Sequence, residues 1–426
     1  SIQALVDSED KLKHYAGLIG LAEYYFDEDD TLTSYVIDRA ELEEADLPNP
    51  LYRELTERKA EVIKRLFNYK EGLKTLDKAL LYSEKRGDSL SLAKWHELKS
   101  GYYYYLFEYD SSRVELKRGI RILEELGREE EKGDLILKSG IIDYAVGNYE
   151  QAIKSAFAAT EIFKRSNRDK QLAIAYLQLG NIYYFLSSFN EAETFYNLAA
   201  ANFSKVKDEH GLQSANSNIG LIQIEKGNYE EGITMQHDAL RHFRRDKRFM
   251  EVGNSYYYLG KAHSGLKNYD SSDYYIDLSI VSNQRSGYDI GIGYAYWIKA
   301  KNRLAKGMLD SAEFYNHKAL TIVDTVESFE LEKILQKQRS KILEEDGNFE
   351  EAYIALKKSI SIGDSLNIDY ESLNQMASRQ LAKLEFAEYE LELARQREEQ
   401  QVLENRRQQQ LIIAISIIAF LLIFFV

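Results

Sequence analysis

The chain has 426 residues, too many for one hydrophobic core unless it is divided or repeated. Its composition, 44% hydrophobic and 29% charged, is that of a folded protein. A formal charge of −14 argues against a nucleic-acid-binding face, and the lack of cysteine excludes disulfides, thiolate metal sites and cysteine nucleophiles.

Two prolines, both in LPNP at 47–50, favour helices along the whole chain, because proline breaks them. Residues 1–48 carry a turn signal, FDEDDT at 26–31, but none of the regularity that follows. They are expected to form a degenerate, capping helix pair. From 49 to 368 an aromatic or apolar residue recurs every forty positions, at Tyr69, Tyr109, Tyr149, Phe189, Tyr229, Tyr269, Leu309 and Phe349. Its surroundings repeat as well: GNYEQA at 147–152, GNYEEG at 227–232 and GNFEEA at 347–352.

Three further columns keep the same period. The first reads Ala60, Ser100, Gly140, Gly180, Gly220, Gly260, Ala300, Ser340. The second reads Gly72, Ser112, Ala152, Ala192, Gly232, Ser272, Ala312, Ala352. The third reads Ala79, Gly119, Ala159, Ala199, Ala239, Ser279, Ala319, Ser359. Every member is Gly, Ala or Ser, as close-packed antiparallel helices require where they cross. Within one unit the spacing predicts a first helix over about 171–186, a turn at 187–190 and a second helix to about 206.

This pattern resembles the tetratricopeptide repeat, most clearly at LGNIYYFLSSFNEA (179–192) followed by Phe195, Tyr196 and Ala199. The usual proline after the second helix is absent, and the period exceeds that family's usual length of about 34. The longer form is similar to the repeats of bacterial peptide-sensing regulators and of cell-polarity adaptors. The resemblance implies an all-α, right-handed solenoid of eight helix pairs over 49–368. It further implies a concave groove built from first-helix side chains. The groove residues so implied are Asn181, Asn218, Tyr184, Tyr144, Tyr104, Asn254, Tyr257 and Trp297, with a protein or peptide segment as ligand. In family members that hold peptide backbone, asparagines at the positions of Asn181 and Asn218 work as a pair; an amide both donates and accepts. The family's carboxylate clamp is incomplete here, since Leu177, Asn254 and Tyr258 stand at three of its five positions.

Residues 369–410 read as one more capping helix running into a charged stalk. Ala377, Leu384 and Leu391 fall seven apart, a short heptad seam through which two chains would pair as a homodimer. Residues 411–426 are apolar except for Ser416. As a helix they extend about 24 Å, against the roughly 30 Å of a bilayer core. They are expected as an incomplete transmembrane helix with further chain beyond Val426.

No catalytic motif occurs, and no cofactor or metal is expected. GYDIGIG (287–293) falls at the start of a helix and does not follow a strand, so it does not read as a dinucleotide loop. His237 and His242 stand five apart, off the spacing that shares a helix face. RHFRRDKR (241–248) places cations at a helix C-terminus, where they complement its dipole. The expected function is a protein- or peptide-binding sensor in a single-pass protein of a bacterial inner membrane, with a histidine kinase, cyclase or DNA-binding output after residue 426. The alternative is a membrane-tethered scaffold for an envelope or secretion complex. This segment is not expected to be an enzyme.

Overall fold

The computed structural model describes Gly17 and residues 49–65, 69–326, 328–366 and 370–424. The expected N-terminal capping pair over 1–48 therefore lies outside the described residues, Gly17 apart. The chain divides into two units, Ser1–Asp369 and Tyr370–Val426.

In the first unit the helices alternate as first and second members of pairs. The first helices are α1 (Asn49–Arg65), α3 (Ser89–Tyr105), α5 (Glu129–Ala145), α7 (Asp169–Phe185), α9 (Glu209–Glu225), α11 (Phe249–Gly265), α13 (Asp289–Ala305) and α15 (Phe329–Glu345). Their partners are α2 (Tyr69–Lys85), α4 (Tyr109–Glu125), α6 (Tyr149–Arg165), α8 (Phe189–Lys205), α10 (Tyr229–Arg245), α12 (Tyr269–Ser286), α14 (Leu309–Val326) and α16 (Phe349–Leu366). Each aromatic or apolar column residue opens a second helix.

Helices end where one residue turns left-handed. At Gly147 (φ 79°) the chain leaves α5, and the next amide, of Asn148, donates back to the carbonyl of Asp143 at 2.7 Å. This is a Schellman closure, and glycine suits it because it has no Cβ to clash. Lys207, Lys247 and Ser187 take the same conformation without that advantage. Asp88 and Asp208 cap the starts of α3 and α9, accepting from the amides of Ser91 and Gly211.

The small columns meet across each pair. The Ser112 hydroxyl donates to the carbonyl of Ser100 at 2.8 Å, and the Ser272 hydroxyl to that of Gly260 at 2.7 Å. A Cβ on Gly232 would stand 2.8 Å from the carbonyl oxygen of Gly220, and one on Gly180 would stand 2.4 Å from the ring of Tyr196. Backbone therefore approaches backbone, and larger residues fill the space around the crossing, as Leu116, Leu123, Leu135 and Ile142 do between α4 and α5.

The run YYYY at 102–105 is distributed over the helix surface. Tyr102 is buried and its hydroxyl donates to the carbonyl of Ala60. Tyr103 and Tyr104 are half-buried. Tyr105 is exposed on one side and stacks on Tyr69 with ring centroids 5.1 Å apart. Successive helical residues turn by about 100°, so four neighbours cannot share a face.

The second unit is a single helix, α17 (Tyr370–Phe424), of 55 residues, which passes the expected boundary at 410 without a break. Two expectations are corrected here. Among the described residues no helix is long and apolar enough to cross a membrane. The transmembrane helix assigned to 411–426 and the single-pass membrane localisation therefore do not stand. Composition had suggested both, since 411–426 holds one polar residue, but the helix that carries the run is charged immediately before it, at Arg406 and Arg407. The side chains of 408–426 are outside those described.

Candidate functional site

First helices of successive pairs touch one another: α5 with α7, α7 with α9, α9 with α11, α11 with α13 and α13 with α15. Among the described residues no comparable contact joins successive second helices. The first helices consequently line the inside of the curve, where the path is shorter, and their outward-turned columns form its concave wall.

The wall is rich in tyrosine. Tyr104, Tyr144, Tyr184, Tyr257, Tyr258, Tyr288 and Tyr294 are all half-buried. Burial pushes the phenol of Tyr294 up, and the neighbouring phenols of Tyr288 and, from α5, Tyr144 add to that. Burial likewise raises Tyr104, with contributions from Tyr109, Tyr105 and Tyr288. Residues more than a hundred positions apart thus lie within electrostatic range, so the curvature brings α3 and α5 opposite α11 and α13. These rings reach solvent but are enclosed by protein, as the lining of a lumen must be.

At the middle of the wall three first helices are tied by one carboxylate. Glu225, the last residue of α9, accepts from the Tyr184 hydroxyl of α7 at 2.6 Å. It also pairs with the Lys261 ammonium of α11. Burial and then the Glu225 charge drive the Tyr184 phenol far up, so it stays a hydrogen-bond donor. Sequence reasoning placed Tyr184 in the groove but missed Glu225. Its column, which runs Arg65, Tyr105, Ala145, Phe185, Glu225, Gly265, Ala305 and Glu345, carries no consistent residue type that could have singled it out.

The asparagines differ among themselves. The Asn181 side-chain oxygen accepts from the Tyr196 hydroxyl at 2.9 Å, which fixes the amide; its Nδ2 has no partner among the described residues. The side chains of Asn218 and Asn254 are half-buried and likewise unpartnered among the described residues. Tyr144 reaches the Asn181 carbonyl at 3.5 Å and packs edge-on against Phe185. Tyr257 meets Tyr294 at 6.2 Å. Trp297 is more scaffold than lining: it packs into the cores between α12 and α13 and between α14 and α15, and its carbonyl accepts from Gln338. At the N-terminal end of the wall, Lys64, Leu98, Tyr104, Tyr105 and Ile141 border a cavity of about 340 Å³.

The remaining sequence candidates have local explanations. His242 lies 3.4 Å from Glu209, and His237 packs edge-on against Tyr275. Arg241 and Arg245 pair with Asp238 and Asp246. Gly287 (φ 67°) caps α12, while Gly291 and Gly293 admit Asn283 and Leu331 at close range. Among the described residues no group of three or more His, Asp or Glu side chains is arranged to hold a metal ion.

No family model matches the chain. Regulatory protein RapG of Bacillus subtilis (strain 168) is 23% identical over 187 residues, covering 42% of this chain and 51% of RapG. The chain thus spans about half the length of that relative. Among solved structures, a Rap protein complexed with Competence and Sporulation Factor superposes with a TM-score of 0.62 at 15% identity, over 86% of this chain and 99% of that one. The apo form of the quorum sensor NprR from B. thuringiensis gives 0.58 at 13%, over 75% and 90%. The fold is that of the Rap and NprR solenoids. This all-helical, tetratricopeptide-like repeat architecture is what the likeness shows, and at these identities it shows the fold alone.

Proposed function

We propose that the concave wall of the array captures an extended peptide segment, and that the chain is a peptide-responsive regulator of a partner protein. One observation carries the reading. Half-buried amides with open donors, on Asn181, Asn218 and Asn254, stand in a lumen otherwise lined by tyrosine rings. Amides pair with peptide backbone whatever its sequence, and rings cover apolar side chains while keeping a polar tip for hydrogen bonds.

The fold comparisons support this reading from a second direction. The similar Rap structure holds Competence and Sporulation Factor, and a further similar structure is NprR with its cognate peptide NprX. A preformed groove also reduces the entropic cost of ordering a short peptide. The test is capture of a mixed hexapeptide pool on the immobilised chain, quantified by mass spectrometry. The Asn181→Ala/Asn218→Ala double variant is expected to lose about thirtyfold in capture, as befits two hydrogen bonds of about 1 kcal/mol each. Unchanged capture would reject those residues as the site.

A further inference from the structure

The second helices of the array turn an outer face to solvent. On it one column, forty residues apart, reads Lys74, Val114, Lys154, Thr194, Thr234, Tyr274, Phe314 and Ile354. Val114 stands alone between polar members, as single exposed apolar residues commonly do. On the last three second helices, α12, α14 and α16, the column turns apolar without a break. Tyr274, Phe314 and Ile354 are 61%, 54% and 59% exposed. An exposed apolar row continued over three adjacent pairs marks an interaction surface.

The two rings of the row are held from beneath. Tyr274 meets Tyr275 edge-on with ring centroids 5.3 Å apart, and Phe314 meets Tyr315 in the same way at 5.3 Å. Tyr275 in turn stacks on His263 of α11 at 5.3 Å, and Tyr315 on Tyr296 of α13 at 6.1 Å. The exposed rings therefore have little freedom left to lose on binding. The row also has a charged border. Asp270, Asp310 and Glu350 are exposed four residues earlier, on the same helix faces. Carboxylates suit the first turn of a helix, but their sign also disfavours the anionic surface of a membrane. Three residues after the row stand Asp277, His317 and Lys357, whose formal charges cancel.

We propose that Tyr274, Phe314 and Ile354 dock an amphipathic α-helix of a partner protein, with its lysines or arginines along the edge that faces Asp270, Asp310 and Glu350. The occupant is helical because the row offers side chains alone. The backbone groups beneath it are paired within α12, α14 and α16, so an extended segment would find no partners there for its own amides and carbonyls. Packed helices lie about 10 Å apart, and seven helical residues rise by about 10.5 Å. A helix lying across the row would meet it with an apolar side chain at about every seventh residue. The surface is separate from the groove and does not rest on peptide capture there.

The experiment titrates the full chain into two labelled synthetic helices of about 18 residues, long enough to cross all three positions, and reads fluorescence anisotropy. One helix carries a leucine face with lysines along one edge; the other keeps the leucines and has glutamate for each lysine. The lysine helix is expected to bind about tenfold tighter, with the difference narrowing as salt is added. Tyr274→Ser/Phe314→Ser is expected to weaken its binding about tenfold, whereas Leu81→Ser, at a residue of α2 that is 59% exposed, leaves it unchanged. Neither variant alters the formal charge of −14, so a loose attraction of cations to the acidic chain would not reproduce this pattern. Melting curves verify that both variants fold. Equal binding of the two helices, or unchanged affinity in Tyr274→Ser/Phe314→Ser, would overturn the proposal. Sedimentation showing that the chain self-associates through these same residues would overturn it too, since the occupant would then be a second copy. Helix binding that survives Asn181→Ala/Asn218→Ala supports a surface separate from the groove, whatever becomes of hexapeptide capture.

Discussion

Gly232→Ala and Gly101→Ala make the same chemical change in two helices and are expected to have opposite effects. In a solvated helix either substitution gains about 1 kcal/mol, since glycine loses more backbone freedom than alanine. At Gly101 a Cβ meets nothing within 4 Å, so that gain is retained. At Gly232 the added carbon stands 2.8 Å from the carbonyl oxygen of Gly220 and 2.5 Å from Ile224 Cγ1. Ile224 can change rotamer, but the Gly220 carbonyl belongs to the backbone of α9, and only separation of the two helices relieves it. Such overpacking costs about 1–3 kcal/mol. Gly232→Ala is therefore expected to lose from nothing to about 2 kcal/mol net, and the two variants to differ by about 1–3 kcal/mol. Urea unfolding followed by circular dichroism measures both. Because stability in repeat arrays is a sum of unit and interface terms, a weakened α9–α10 contact is also expected to broaden the transition. A midpoint for Gly232→Ala at or above that of Gly101→Ala would refute the close-approach argument.

Other outcomes follow from single residues. Lys207 sits left-handed at φ 56°, so Lys207→Gly is expected to raise stability by about 1 kcal/mol, measured by the same urea titration. Gln236 is fully buried, accepting from the Ser217 hydroxyl at 2.9 Å and donating to the Ser217 carbonyl at 2.6 Å. Gln236→Leu leaves the buried Ser217 hydroxyl without its acceptor and takes from the Ser217 carbonyl the bond it makes beside its helical one, and is expected to cost about 2 kcal/mol, with Ser217→Ala on that background recovering part of it. Burial lowers the Lys164 ammonium from 10.5 to about 8. Between those values the unfolded chain binds more protons than the folded one, so this residue makes stability rise with pH across that window. Lys164→Met is accordingly expected to raise the melting temperature at pH 7, with the difference shrinking by pH 10.5; an equal difference at both pH values would exclude the effect.

Much of the helix-pair framework was legible because contacts inside a pair are local and repeat with the chain. The Gly/Ala/Ser columns named the crossing points, and Ser100–Ser112 and Gly260–Ser272 are found in contact there. The first helix expected over 171–186 is Asp169–Phe185. Composition misled at the C-terminus, where an apolar run was read as an incomplete membrane span, whereas among the described residues no helix is long and apolar enough to cross a membrane. The site was read only as a set of columns. That one amide oxygen of Asn181 is occupied by Tyr196, or that Trp297 belongs to the core, depends on rotamers and neighbours that a column does not specify.

The sequence by itself determined the all-helical repeat, its crossing points and the inward columns, because period and residue size act between neighbours along the chain. Only the tertiary structure decided what the columns meet. Each pair is rotated slightly relative to the last, and the accumulated curvature brings Tyr104 opposite Tyr288 and Tyr144 opposite Tyr294. The same curvature leaves Glu225 holding Tyr184 and Lys261 from two different helices. Those encounters arise from a rotation summed over many repeats, which no single repeat records.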